Sequence, residues 1–338
     1  MKKVSIKDIA KHLNISVPTV SLVLNGRGDE KRISKDTQDK IIKYAEEIHY
    51  KPNVFAKGLK KGKSEMLGLI IPNISDVFYA KIASRIEKNA AKHGYNVIFS
   101  SSEESSKKEK ELIYSMLDRQ VEGLIIASTQ KNEKEILKLK EMNFPFVLID
   151  RHYPELDCDH VIVDNKGGIA RAVDHMFQMG ARNIGYVSIK PDLDAIKMRL
   201  LGYKEAMEKS GLGYKPGNVQ ELNQDSYEEE MSRAFDKLLN ETSPIDGVIF
   251  STHYLTTAGL RELRKRHVKV PNDIKIISFD QFSAFDLLDP PVTVVTQSFY
   301  DIGDHAVDIL LGKLQVRKNA NTHKVLETGF IIRKSCGE

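Results

Sequence analysis

After Lys63 the sequence alternates short apolar runs with amphipathic stretches. MLGLIIP precedes a helical pattern at about 77–93, NVIFSS one at 105–119 and GLIIAS one at 132–142, before FPFVLID closes the series. A second series uses HVIVD, NIGYVSI, DGVIFST and IKIISFD. Strands that are apolar throughout are buried on both faces, and strands alternating with helices form parallel sheets covered on each side. Two such series predict two doubly wound subdomains.

Residues 1–63 read differently. They carry 15 Lys/Arg against 7 Asp/Glu, while the remainder carries 36 against 40. A basic head on a mildly acidic body points to a polyanionic partner for the head alone. In SIKDIAKHLN, Ile6, Ile9, Ala10 and Leu13 recur at i, i+3, i+4 and i+7, one face of a helix. Ser16 is a suitable N-cap for a second helix, with Pro18 in the first turn, Val20, Val23 and Leu24 inward, and Asn25-Gly26 at the end. A third helix is expected from about Ser34 to Tyr50, with Ile41, Ile42, Ala45 and Ile48 inward. Two short helices joined by a tight turn and braced by a third make a helix-turn-helix headpiece. Val17, Pro18, Ser21 and Leu22 fall on the opposite face of the second helix, where a recognition helix meets the major groove.

No apolar run is long enough to span a bilayer, and no apolar segment follows Lys2 and Lys3 as a signal peptide requires. Cys158 and Cys336 are too few for a disulfide framework. The expectation is a cytoplasmic protein with reduced thiols.

The order SIKDIAKHLNISVPTVSLVLNG, RISKDTQDKI, YKPNVFAKGLKKGKS, MLGLIIPNISDVFY resembles the lactose-repressor (LacI/GalR) family of bacterial transcription regulators. The likeness continues through GYNVIFSSSE, VEGLIIAS, FPFVLIDR, IGYVSI, RLLGYKEAM, ISFD and TVVTQSFYDIG, so it covers essentially the whole chain. It implies an all-α helix-turn-helix headpiece at 1–50, a hinge at 51–63 and an α/β periplasmic-binding-protein-like effector domain at 64–338. The subdomains are expected at about 64–163 with 292–321, and at about 164–290 with 322–338, with crossovers near Asp164, Pro290–Val292 and Asn321–Lys324.

The resemblance also implies partners: double-stranded operator DNA, a small-molecule effector of saccharide type, and a second copy of the chain in a homodimer. DNA contact falls to Ser5, Ser16, Val17, Pro18, Thr19, Ser21, Leu22 and Asn25, and in the hinge to Asn53, Lys57 and Leu59. Leu59 matches the leucine that wedges into the minor groove, an apolar insertion that kinks a deformable step. Gly58 beside it departs from the better helix formers common there and costs about 1 kcal/mol in a helix interior. Leu22 also departs, because many members carry an arginine at the matching position. The GKS at 62–64 is not a phosphate-binding loop: Gly58 and Gly62 stand too close, and the apolar strand follows where it should precede.

Ligands of this fold bind between the subdomains at the carboxyl ends of the strands. The resemblance places Pro72, Asp76, Phe78, Asp150, Arg151, Arg199 and Asp280 there. Acceptors, bidentate donors and an aromatic face are what a hydroxyl-rich ligand needs. Asp150 and Asp280 have a second reading as helix caps or subdomain salt bridges, and Arg199 as a structural partner. After DGVIF the family usually presents Asn-Asp where this chain has His253-Tyr254; either the ligand differs or that loop does not reach it.

Enzymatic readings find little support. The histidines show no metal-ligand spacing, no G-x-S-x-G elbow occurs, and no cofactor or metal is expected. Glu103-Glu104, at a strand exit before a lysine-rich helix, read as solvated. The expectation is a ligand-controlled transcriptional regulator, a repressor, with two alternatives: control by a corepressor protein, or a sugar-binding protein without a regulatory role.

Overall fold

The computed structural model describes residues 5–50, 63–240, 244–315 and 320–337. The expected hinge residues Asn53, Lys57 and Leu59 lie outside the described residues. Two compact units separate at residue 64, Met1–Ser64 and Glu65–Glu338.

The small unit contains α1 (Ile6–Leu13), α2 (Val17–Leu24) and α3 (Lys35–Glu47). Ser16 caps α2, its hydroxyl accepting from Thr19 N–H, and Ser34 caps α3 from Thr37 N–H in the same way. Ile9, Ala10, Val20, Val23, Ile41 and Ala45 form the buried core, with Ile6, Leu13, Leu24 and Ile48 packed against it. One expectation fails. Ile42 is 43% exposed, because one residue past Ile41 the helix has turned about 100° away from the core stripe. Helix α3 also stops short of Tyr50, at a left-handed His49 (φ +49°).

The large unit holds two six-stranded sheets. The first is built from β1 (Met66–Ile71), β2 (Asn96–Ser101), β3 (Gly123–Ile126), β4 (Phe146–Ile149), β5 (His160–Val163) and β11 (His323–Leu326), in the order β11-β5-β4-β3-β1-β2. The second has β6 (Ile184–Ile189), β7 (Val219–Leu222), β8 (Gly247–Phe250), β9 (Lys275–Phe279), β10 (Thr293–Thr296) and β12 (Gly329–Ile331), in the order β12-β10-β9-β8-β6-β7. Every pairing is parallel except β10 with β12.

Helices α4 (Val77–Lys92), α5 (Ser106–Asp118), α6 (Glu133–Glu141) and α11 (Phe299–Gln315) accompany the first sheet. Helices α7 (Asn165–Gln178), α8 (Asp194–Lys209), α9 (Tyr227–Asn240) and α10 (His253–Lys265) accompany the second. The central strands are buried throughout, as β3, β4 and β8 are, which accounts for their uninterrupted apolar sequence.

Two crossings differ from expectation. The first falls at Asp164, between β5 and α7. β10 belongs to the second sheet, so the second crossing comes at residues 297–298 and not at 290–292. β11 pairs with β5 in the first sheet, moving the third crossing from 321–324 to residues 327–328. The edge strands β7 (VQEL), β11 (HKVL) and β12 (GFI) escape a search for apolar runs. These three are short and only partly buried, so the apolar run that marks a central strand is missing from them.

Candidate functional site

In the small unit, the face of α2 away from the core presents Val17, Pro18 and Leu22. Val17 and Pro18 are exposed and Leu22 half-buried, and none belongs to the apolar core. Ser16 and Thr19 share a hydroxyl–hydroxyl bond of 2.7 Å. Asn25 donates its amide to the Ser21 carbonyl at 2.7 Å, while among the described residues the Ser21 hydroxyl has no partner. Ser5 heads α1, its N–H and hydroxyl both donating to Asp8 Oδ2. The resulting surface is apolar and hydroxylic and carries no cation of its own.

In the large unit, all nine residues expected around a ligand line one cavity of about 430 Å³ between the two sheets. They come from strand exits. β1 leads into Pro72 and then Asp76, whose carboxylate caps α4 by accepting from Phe78 N–H at 2.8 Å. β4 leads into Asp150 (φ +63°) and β9 into Asp280 (φ +71°), both in the left-handed region that aspartate tolerates better than most residues. That turn lifts each carboxylate out of its sheet.

Asp150 Oδ2 accepts from the Tyr79 hydroxyl at 2.6 Å and lies 3.6 Å from Arg151 Nε. Burial pushes the Asp150 carboxyl above the usual carboxylate range, against the opposing pull of Arg151. Asp280 Oδ1 accepts from Gln297 Nε2 at 2.6 Å, and Oδ2 lies 3.7 Å from Arg199 Nη1. Neither aspartate caps a helix.

Arg199 is only 4% exposed. Its guanidinium lies over the Phe279 ring at 3.7 Å, Nε donates to Asn165 Oδ1 and Nη1 to the Ser251 carbonyl, both at 2.7 Å. This placement depends on Gly202, one turn further along α8, where any Cβ would stand 2.3 Å from the Lys166 carbonyl oxygen. Only glycine lets α8 settle onto the start of α7 and bring Arg199 to Asn165. Nη2 makes no hydrogen bond among the described residues, so its N–H groups remain available to a ligand.

Arg151 differs. Both its terminal nitrogens hold Glu104, at 2.7 and 2.8 Å, so its fork already clamps the exit of β4 to that of β2. The solvated reading of the acid pair therefore holds for one member only. Glu103 is exposed and pairs with Lys108 at 2.7 Å, whereas Glu104 is half-buried in the clamp.

His253 and Tyr254 line the same cavity. His253 lies near-parallel to Phe282 at 6.1 Å, and Tyr254 packs against Tyr227 at 5.1 Å. Burial pushes the Tyr254 hydroxyl up to about 12. The departure from Asn-Asp thus exchanges an acceptor for an aromatic shelf.

Sequence reasoning missed Tyr79, Glu104, Tyr227, Phe282 and Gln297, all of which line the cavity. Most lie in loops or at helix starts without period, and only the position of Tyr79 one residue after Phe78 offered a signal. Among the described residues no group of three or more His, Cys, Asp or Glu could hold a metal ion, and no helix is long and apolar enough to cross a membrane.

Comparison with known proteins gives concordant results. Residues 5–53 match the family described as bacterial regulatory proteins, lacI family, and residues 173–336 match a periplasmic binding protein-like domain. The chain is 32% identical over 309 residues to catabolite control protein A of Priestia megaterium, covering 91% of each chain. It is 27% identical over 331 residues to the transcriptional repressor CytR of Escherichia coli K12, covering 98% of this chain and 96% of the relative. Among solved structures, the lac repressor dimer bound to operator and an anti-inducer is similar in fold, with a TM-score of 0.84, 21% identity and 99% of each chain covered.

Proposed function

The chain belongs to the lacI family of bacterial regulatory proteins and is a DNA-binding regulator of transcription; from that premise we propose a homodimeric repressor whose operator affinity is set by a neutral saccharide held between its two α/β subdomains. One observation carries the effector reading. Nine residues from five separate segments of sequence converge on a single cavity, bringing acceptors, an oriented guanidinium and an aromatic shelf together. Asp150 and Asp280 accept from ligand hydroxyls, Arg199 Nη2 donates to a ligand oxygen, and the rings of Tyr254 and Phe282 cover C–H faces.

Each headpiece reads one half of a near-palindromic operator through the outer face of α2. Ligand changes DNA affinity only as far as it binds the two conformations of the cleft differently, by closing one subdomain on the other. The test is a mobility-shift titration on an operator selected from random DNA, with and without each sugar of a panel. A sugar that changes operator affinity in the wild type and does nothing in Asp280→Asn supports the reading. Operator binding that no sugar alters, or that persists in a fragment beginning at Glu65, overturns it.

A further inference from the structure

The cavity does not end at the aromatic shelf. A second space of about 570 Å³ adjoins it and shares Asn73, Glu104, Ile189, Leu193 and Gln224 with it. The order of the strands explains its direction. Exits of β4, β8, β9 and β10 reach only the inner space, whereas the outer one is walled by exits of β1, β2, β3, β6 and β7. Since β2 and β7 are edge strands, the cleft runs from the middle of both sheets outward to their edges.

The walls change along that path. Aromatic rings line the inner end and none lines the outer one. There Lys131 stands on one wall and Asp192, Gln224 and Asp225 on the other, and among the described residues their side chains make no hydrogen bond or ion pair. The separation of the walls is not left to the crossings alone. The Gln130 side chain, from the first subdomain, donates to the His152 carbonyl and accepts from Asp194 N–H of the second at 2.7 Å. The outer space is thus a bridged channel with uncommitted polar groups on both sides.

Either space alone falls in the range, roughly 300–1,000 Å³, of pockets that bury a whole small ligand. A single sugar ring on the shelf would leave a second pocket-sized volume unfilled. Charge narrows the class further. Seven carboxylates against four basic side chains line the two spaces, and with the Glu104–Arg151 pair set aside six stand against three. Such a lining repels a uronate or a sugar phosphate.

Resting on the saccharide reading above, we propose that the effector is a neutral oligosaccharide of two or more units. Its first unit lies on the shelf between Asp150, Asp280 and Arg199. The following units occupy the outer channel, with hydroxyls bonded to Lys131, Asp192, Gln224 and Asp225.

The experiment is calorimetric titration of the full chain with oligomers of one to four units of glucose, galactose, mannose, xylose and N-acetylglucosamine, and with uronate dimers. In the series that binds, the dimer is expected to bind about tenfold more tightly than the monomer, which corresponds to about 1.4 kcal/mol. The double variant Lys131→Ala, Asp225→Ala should close most of that gap, and the uronate dimers should bind more weakly than the neutral ones. A monomer as tight as its own oligomers, or a double variant with the wild-type preference for length, overturns the proposal while sparing the saccharide reading. Silence across every series sinks both.

Discussion

Asp150 and Asp280 occupy matching positions in the two halves of the large unit. Each follows the last residue of a strand, each has left-handed backbone, and each is held by a hydrogen bond of 2.6 Å, from Tyr79 and from Gln297 respectively. Their charges act on one another across the cleft, and Asp280 adds to the rise in the Asp150 pKa that burial begins. Two like charges are held close, with a guanidinium beside each, in a space that a ligand's hydroxyl groups can enter.

The cost of that arrangement is measurable. Because the Asp150 pKa is raised in the folded state, its contribution favours folding below the carboxylate range and is lost as pH rises through the folded value. Asp150→Asn should therefore raise the melting midpoint at neutral pH and lose that advantage near pH ~3, where the wild-type carboxyl is protonated too. The same variant should weaken ligand binding. Equal midpoints at neutral pH, or a destabilised variant, would show that Arg151 and Tyr79 compensate the charge fully.

Arg199 lines the cavity and also holds the fold around it, so its removal cannot be a clean test of ligand binding. Arg199→Ala strips Asn165 and the Ser251 carbonyl of a charged donor in a buried site, a loss of roughly 2–3 kcal/mol by urea denaturation. Asp280→Asn keeps an acceptor for Gln297 and should lose the ligand response at much smaller cost in stability. If Arg199→Ala unfolds at the wild-type urea concentration, its bonds to Asn165 and Ser251 contribute nothing.

Leu22 concerns the other partner. Leucine, valine and proline side chains donate no hydrogen bond, so we propose that the outer face of α2 reads thymine methyl groups and DNA shape, with Ser21 adding one hydroxyl. Leu22→Arg should move the preferred half-site toward G·C at one symmetric position by about 1–3 kcal/mol. Selection from a randomised operator library with both proteins checks this. Identical preferences would mean that Leu22 reaches no base.

Acid should loosen the large unit through its histidines. Burial lowers the pKa of both His152 and His160, whose rings lie 4.6 Å apart, and Asp194 only partly offsets this for His152. With folded values below the unfolded ones, stability is complete above about pH 6.5 and is lost as pH falls toward the folded values. The melting midpoint of the 65–338 unit should drop between about pH 7.5 and about pH 5.5, and His160→Gln should make the drop shallower. A slope unchanged by that substitution would assign the acid response to other groups.

Much of this protein was legible before any coordinate. The i, i+3, i+4 spacing of Ile6, Ile9 and Ala10, the caps Ser16 and Ser34, and the apolar runs of the central strands are local patterns, set by helix period and by burial on both faces. The likeness in motifs was enough to place seven residues around one cavity, and left His253 and Tyr254 open. What local patterns could not decide depends on which neighbours the chain acquires. Ile42 fits a helix pattern and still faces out, because the small core is filled by Ile41 and Ala45. Whether β10 and β11 join one sheet or the other is settled by pairing with β9 and β5, contacts that no local period encodes. Glu104 reads as a solvated acid until folding brings Arg151 to it from 47 residues away. Arg199 reads either as a ligand donor or as a structural partner until Gly202 lets two helices close, which commits Nε and Nη1 and leaves Nη2 over. Local sequence determines which elements form and which face is apolar. The charges and hydrogen bonds left over for a ligand are decided only when distant strand exits meet, since each polar group in a buried cleft must first satisfy its neighbours.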